Sequence, residues 1–243
     1  MRAVQLAGVG LVIWWFASSS GLVQAQFTNH AEWPITDFEN TLVDLSEIMS
    51  GGPPKDGIPA VDDPKFISNS QAALWLDDQE PVIVVEVNGH PRACPIQILM
   101  FHEIVNDTVA GRPLTVTFYP LCNASIVFER RVGDEVLDFG TTGRLRKSDL
   151  GMYDRQSETW WQQFSGTGIV GSHAVTVLDR YPASIVAFAN FKSGYPDGEV
   201  LSKETGHRRP YGQNPYRGYD SITNQLFCSA TRSTRVSRQW STF

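Results

Sequence analysis

Apolar and polar residues alternate with period two through most of the middle of the chain. Residues 82–87, 104–109, 114–119, 124–130 and 135–139 each carry that alternation and predict strands. Short turns join them at Asn88-Gly89, Ala110-Gly111-Arg112 and Val132-Gly133-Asp134. Weaker strand patterns follow at 145–153 and 168–177. Helical spacing is confined to a few places. Residues 36–49 place Phe38, Leu42, Leu45, Ile48 and Met49 on one stripe, with Thr36 and Glu39 as a capping box and Ser50-Gly51-Gly52-Pro53-Pro54 as the stop. Ser70 caps a short helix through Leu76, and Pro95 opens another through Phe101. Ser184 caps a third through Lys192, with Gly194 as its stop. Successive antiparallel strands with few helices predict an α+β fold, mainly an antiparallel β meander or partial barrel with flanking helices. Regular βαβ alternation is absent, which disfavours a Rossmann-type sheet, and no internal repeat is present.

The two ends read differently from the middle. Arg2, an apolar run over residues 6–17, the small residues Ser18-Ser19-Ser20-Gly21 and the Val23-Gln24-Ala25 site predict a secretory signal peptide. The run is shorter than the ~20 residues of a membrane-spanning helix. An uncleaved anchor is the alternative, and no Cys follows the run to accept a lipid. The reading is therefore an exported protein, periplasmic or extracellular, whose mature chain begins at Gln26 and no longer touches the membrane. The segments are a leader (1–25), an N-terminal helical piece (26–55), an α+β domain (56–220) and an atypical tail (221–243). That tail has no acidic residue, is rich in Ser, Thr and Arg, and is read as disordered or truncated.

Composition narrows the partners. The net charge is −6, and no block of basic residues occurs, which argues against nucleic acid. Seven Trp and thirteen Phe suit an aromatic core, and three Cys permit one disulfide and one further thiol.

The chemistry-bearing residues cluster around one hairpin. His102-Glu103-Ile104-Val105-Asn106-Asp107 leads into it, and Tyr119-Pro120-Leu121-Cys122-Asn123 leaves it, so His102 and Cys122 fall at the same end of the paired strands. Cys122 as a nucleophile needs His102, or else His173, as base and a carboxylate such as Glu103 or Asp107 to orient it. Alternatively His102, Cys122 and Met152 form a soft ligand set for copper first and zinc second. Plainer readings stand beside these: Glu103, Asn106 and Asp107 bonding backbone amides, Cys122 as a small buried hydrophobe, and Met152 in the core. His102-Glu103-x-x-Asn106 lacks the second histidine of a zincin helix. Asn106-Asp107-Thr108 and Asn123-Ala124-Ser125 match glycosylation acceptors. Trp160-Trp161-Gln162-Gln163 suits buried Trp better than a sugar-binding face, Gly166, Gly168 and Gly171 lack a strand–turn–helix around them, and His207-Arg208-Arg209 is a solvated loop or an anion site.

Several ordered blocks resemble the domain-of-unknown-function 3179 family. They are Asp56-Gly57-Ile58-Pro59-Ala60, residues 102–107, Pro120-Leu121-Cys122-Asn123, Phe139-Gly140-Thr141-Thr142-Gly143 and residues 150–155. Residues 161–166, 201–202, Thr205-Gly206-His207-Arg208-Arg209 and Pro215-Tyr216-Arg217-Gly218-Tyr219 complete them, so coverage is roughly 56–220. The resemblance implies a microbial, often exported protein. Similar proteins often carry Cys-Pro-Leu-Cys where Tyr119-Pro120-Leu121-Cys122 stands, and an aromatic residue where Cys94 stands. The departure removes a two-thiol motif; a Cys94–Cys122 disulfide would replace it. The expected function is a His/Cys site that binds a metal or performs thiol-dependent redox chemistry. A Cys-nucleophile transferase or hydrolase and a non-catalytic module binding a small molecule are the alternatives.

Overall fold

The computed structural model describes residues 29–218. Within them the fold is α+β and mainly antiparallel, in three larger open sheets and a two-stranded ribbon of Arg131–Val132 with Glu135–Val136, with no closed barrel. The first sheet has the strand order Ile48–Ser50, Phe139–Arg146, Asp149–Asp154, Trp160–Gln162, Thr167–Val170. The second runs Arg180–Tyr181, Ala124–Glu129, Arg112–Tyr119, Ile104–Val109. The third runs Ser184–Ala187, Pro81–Val87, His90–Pro95, Glu199–Leu201, Phe66–Ser68, and only its contact between Glu199–Leu201 and His90–Pro95 is parallel.

The second sheet is the middle layer. Val105, Leu114, Val116, Phe118 and Val127 face Ile83, Val85 and Cys94 of the third sheet. Ile104, Tyr119 and Phe128 face Phe139, Leu150, Met152 and Trp161 of the first. With both faces covered, Pro113 through Tyr119 are buried without interruption, including Thr115 and Thr117. Burial of about 1.5–3 kcal/mol per large apolar side chain makes this double interface the main source of stability.

Local pattern held where a hairpin closes on itself. Strand Ile104–Val109 pairs with Arg112–Tyr119 across Ala110-Gly111, and Pro81–Val87 pairs with His90–Pro95 across Asn88-Gly89. It failed where distant partners compete. The helix expected over 36–49 does not form, so the segment 26–55 is not helical where it is described. Thr36, the supposed cap, donates its hydroxyl to the carbonyl of Glu158. Leu42 N–H bonds the carbonyl of Ile169, and Ile48–Ser50 joins the first sheet beside Phe139–Arg146. Only a short 3-10 turn, Leu45–Glu47, survives, while Phe38, Leu45 and Ile48 pack on Trp33 and Trp160. Tertiary contacts outweigh a weak helix propensity. The helix expected from Ser184 starts later, at Phe188, because Ser184–Ala187 is taken up as an edge strand. Ser68, not Ser70, caps the helix Asn69–Ala72. The predicted leader, most of the tail and Cys228 lie outside the described residues.

A strap formed by residues 51–58 crosses the strand Phe139–Arg146. Gly51 N–H bonds the carbonyl of Gly143, Asp56 N–H bonds that of Thr141, and the Thr141 hydroxyl donates to the carbonyl of Ile58. The approach is so close that a Cβ at Gly143 would lie 2.0 Å from the Pro53 carbonyl oxygen. Lys55 fixes the strap from outside, its ammonium over the rings of Trp33 and Tyr153 and paired to Glu158.

Candidate functional site

The short helix Ile96–Leu99 leads into the strand Ile104–Val109 through the four residues Met100, Phe101, His102 and Glu103. The reversal is made at Glu103. Its N–H bonds the carbonyl of Leu99 at 2.7 Å, and the carbonyl of His102 is bonded by Ile104 N–H at 2.6 Å, a γ-turn closed over Glu103. Glu103 has φ +60, the left-handed side of the map. A γ-turn of that hand is rare and strained, and such a residue costs on the order of 1–3 kcal/mol. Phe118 N–H to the Glu103 carbonyl and Val61 N–H to the Ile104 carbonyl hold it there.

The Glu103 side chain is 2 % exposed and lines a cavity of about 30 Å³. Gly51, Pro53 and Ile58 of the strap form one wall, and Tyr119, Leu121 and Leu150 another. Thr141, Gly143, Arg144 and Tyr216 complete the lining. The Tyr216 hydroxyl donates to Glu103 Oε1 at 3.5 Å. Burial pushes the Glu103 carboxyl up to about 8, and the Tyr216 bond opposes that rise. At neutral pH the group is therefore a carboxylic acid, able to donate a proton.

His102, one residue earlier, is fully buried and faces away into a relay. Its Nδ1 lies 2.7 Å from the carbonyl of Pro59, which can only accept, so Nδ1 carries the hydrogen. Nε2 then accepts from the Tyr211 hydroxyl at 2.6 Å, and Tyr211 accepts from the Thr205 hydroxyl at 2.6 Å. Burial pushes His102 down to about 4, only partly opposed by the Pro59 bond, so the ring is neutral. Its role is to pin the loop that also carries Tyr216.

The remaining predicted residues are dispersed. Cys122 is exposed, and its sulfhydryl donates to the carbonyl of Ser148 at 3.0 Å, while both nitrogens of His102 are taken by other partners. The expected His102–Cys122 pairing is thus not made. Cys122 and Cys94 are not joined to each other; Cys94 is buried between the second and third sheets, and burial drives its thiol far up. Asp107 pairs with Arg92 at 2.5 Å, a tie between the second and third sheets. Met152 lies in the core between the first and second sheets. The His173 ring packs against Trp161. Asn106, one of the two glycosylation matches, is buried; its amide donates to Asp62 and the Phe139 carbonyl and accepts from Phe139 N–H, so it is no acceptor in the folded chain. Among the described residues no three His, Cys, Asp or Glu side chains gather as a metal-binding group.

Glu103 alone of the predicted catalytic residues faces the cavity. Hydrophobic patterning gave no hint of Arg144, Tyr216 or the strap. The ordered blocks did carry a signal, because Ile58, Glu103, Leu121, Thr141, Gly143, Leu150 and Tyr216 all fall within them and all line this one space. The family model described as "Protein of unknown function (DUF3179)" matches residues 55–241, past residue 220, where the resemblance was expected to end. No curated protein and no solved structure matches the chain.

Proposed function

The chain belongs to the DUF3179 family, and we propose that it is a proton-transfer enzyme acting on a small molecule, with Glu103 as the general acid and base. One observation carries this reading: a strained, buried Glu103 is held in the wall of a small, largely apolar pocket. Strain and an uncompensated carboxyl are each unfavourable for folding, and both are placed at one residue beside a space for a ligand. A carboxyl titrating near 8 is matched to proton exchange around neutral pH, where general acid–base catalysis contributes about 10²–10⁴-fold. The test follows small carbonyl compounds in D₂O by proton NMR. At least one should exchange or hydrolyse faster with the protein, and Glu103→Gln should lose at least about 100-fold of that rate. Turnover unchanged in Glu103→Gln ends the reading.

A thiol-dependent step at Cys122 is the second reading. It is favoured by the exposure of that sulfur on a loop whose members Tyr119 and Leu121 line the same cavity. Loss of turnover in Cys122→Ser with Glu103→Gln unaffected would select it. Copper or zinc bound through His102, Cys122 and Met152 draws no support from where those side chains lie. The setting of either chemistry is outside the cytoplasm, a reading supported by the leader-like pattern of residues 1–25; an exported protein of intact mass retaining those residues would reject it.

A further inference from the structure

We infer that the loop 203–218 binds a small phosphate-class dianion through Arg209 and His207, beside the buried His102 ring. The inference stands apart from the acid–base reading of Glu103 and uses none of the residues that line its pocket.

Charge is the first argument. Among the described residues before 203, every Lys and Arg except Arg131 and Arg180 is paired with a carboxylate. The loop reverses that pattern. Its sequence sets Lys203, Arg208, Arg209 and Arg217 against a single acid, Glu204, and none of these cations enters an ion pair among the described residues. Lys203 lies over the Trp75 ring, and Arg208 and Arg217 are exposed to solvent. Arg209 is part-buried and has neither outlet.

Geometry is the second. Arg209 Nε is buried, and its hydrogen meets no acceptor among the described residues. A guanidinium N–H can only donate, so an acceptor is the group that would satisfy it. The His207 ring centroid lies 5.5 Å from that of His102, whose Nε2 accepts from the Tyr211 hydroxyl. Burial is the main cause that lowers His102, and the charges of His207 and Arg209 press it further down. Burial raises the Tyr211 hydroxyl, and Thr205 and Arg209 both oppose that rise. Arg209 and His207 thus converge on the His102–Tyr211 pair, and no carboxylate is paired with either among the described residues.

Rigidity is the third. His207 N–H donates to the Thr205 hydroxyl at 3.3 Å, that hydroxyl donates to Tyr211 at 2.6 Å, and Tyr211 N–H bonds the carbonyl of Arg209 at 2.9 Å. The two side chains are therefore fixed at their roots, which lowers the ordering cost of binding. A guanidinium fork suits an oxyanion, and a second nitrogen group from another point of the loop suits a tetrahedral dianion better than a planar monoanion. The net charge of −6 opposes a polyanion, which leaves a small ligand.

The experiment titrates the full chain by calorimetry with inorganic phosphate and methyl phosphate at about pH 7.5, where both are mainly dianionic, with chloride holding the ionic strength constant. Each should bind saturably at one site. R209Q should lower both affinities at least about tenfold and H207Q at least about threefold. R131Q, which removes an unpaired cation of the two-stranded ribbon, should leave both unchanged. Tighter binding of methyl phosphate assigns the site to the end group of an organic phosphate, and tighter binding of inorganic phosphate assigns it to the free ion. Full affinity in R209Q and H207Q, an equal loss in R131Q, or no saturable heat beyond that of chloride overturns the inference. Tighter binding of a short DNA duplex than of methyl phosphate overturns it as well, because the loop would then be a polyanion surface. H207Q decides the matter if R209Q does not fold.

Discussion

His102 and Glu103 are adjacent in the chain and driven in opposite directions by the same cause. Burial lowers the imidazole to about 4 and raises the carboxyl to about 8, so both are uncharged at neutral pH. One turns into the Tyr211 relay and the other into the cavity. The γ-turn between them is what sends consecutive side chains to different tasks.

Their opposed shifts give the stability a flat top. For His102 the unfolded chain takes up a proton first, near 6.5, so its contribution is complete above that pH and is lost as pH falls toward 4. For Glu103 the folded chain keeps its proton, so its contribution is complete below 4.5 and is lost as pH rises toward 8. Between about 4.5 and 6.5 the two slopes, each about 1.4 kcal/mol per pH unit at most, cancel. Urea unfolding across pH should show that plateau, with the alkaline limb reduced in Glu103→Gln and the acid limb reduced in His102→Gln. An alkaline limb unchanged in Glu103→Gln would show that the carboxyl is not held neutral.

Backbone strain at Glu103 can be read by substitution. Gly adopts φ +60 freely and Ala does not, so Glu103→Gly should be more stable than Glu103→Ala by about 1 kcal/mol. In an ordinary strand the order would be reversed. Denaturation midpoints of the two variants decide it.

Gly143→Ala should destabilise by about 3 kcal/mol or more. The new Cβ meets the Pro53 carbonyl oxygen at 2.0 Å, and the position has φ +68, so neither strand nor strap can yield cheaply. A loss under 1 kcal/mol would mean that the strap is loosely attached.

The two described thiols should differ widely in reactivity. In a Cys228→Ser background, iodoacetamide should label Cys122 in the native protein, while Cys94 reacts only on unfolding, about 10³-fold or more slower. Mass mapping of the labelled peptides checks this, and native labelling of Cys94 at a similar rate would contradict its burial.

The strands of the middle sheet were legible because their partners are their neighbours in sequence: Ile104–Val109 closes on Arg112–Tyr119 through a two-residue turn. The stripe from Phe38 to Ile48 misled because period 3.6 and an extended chain dotted with anchors place apolar residues alike. Exposed Leu42 and Met49 show that the stripe is not one buried face. At the candidate site, the residue types around His102 pointed to the end of the hairpin where Glu103 lines the pocket. They could not reveal that Cys122 bonds Ser148, or that the environment of Glu103 is assembled from residues 51–58, 141–150 and 216, none of which is local. Side-chain direction at a strained turn is likewise invisible to periodicity.

The strap and Tyr216 also set an order of events. The cavity needs Gly51 and Pro53 on one side, Gly143 and Leu150 on another and Tyr216 to close it, contacts separated by up to 165 residues. A chain emerging from the ribosome or across a translocon has made Glu103 long before it has made the last wall, so no shorter N-terminal fragment can hold the acid neutral. Loop closures of that length come late and are slow. The buried, neutral state of Glu103 is therefore a property of the completed fold alone.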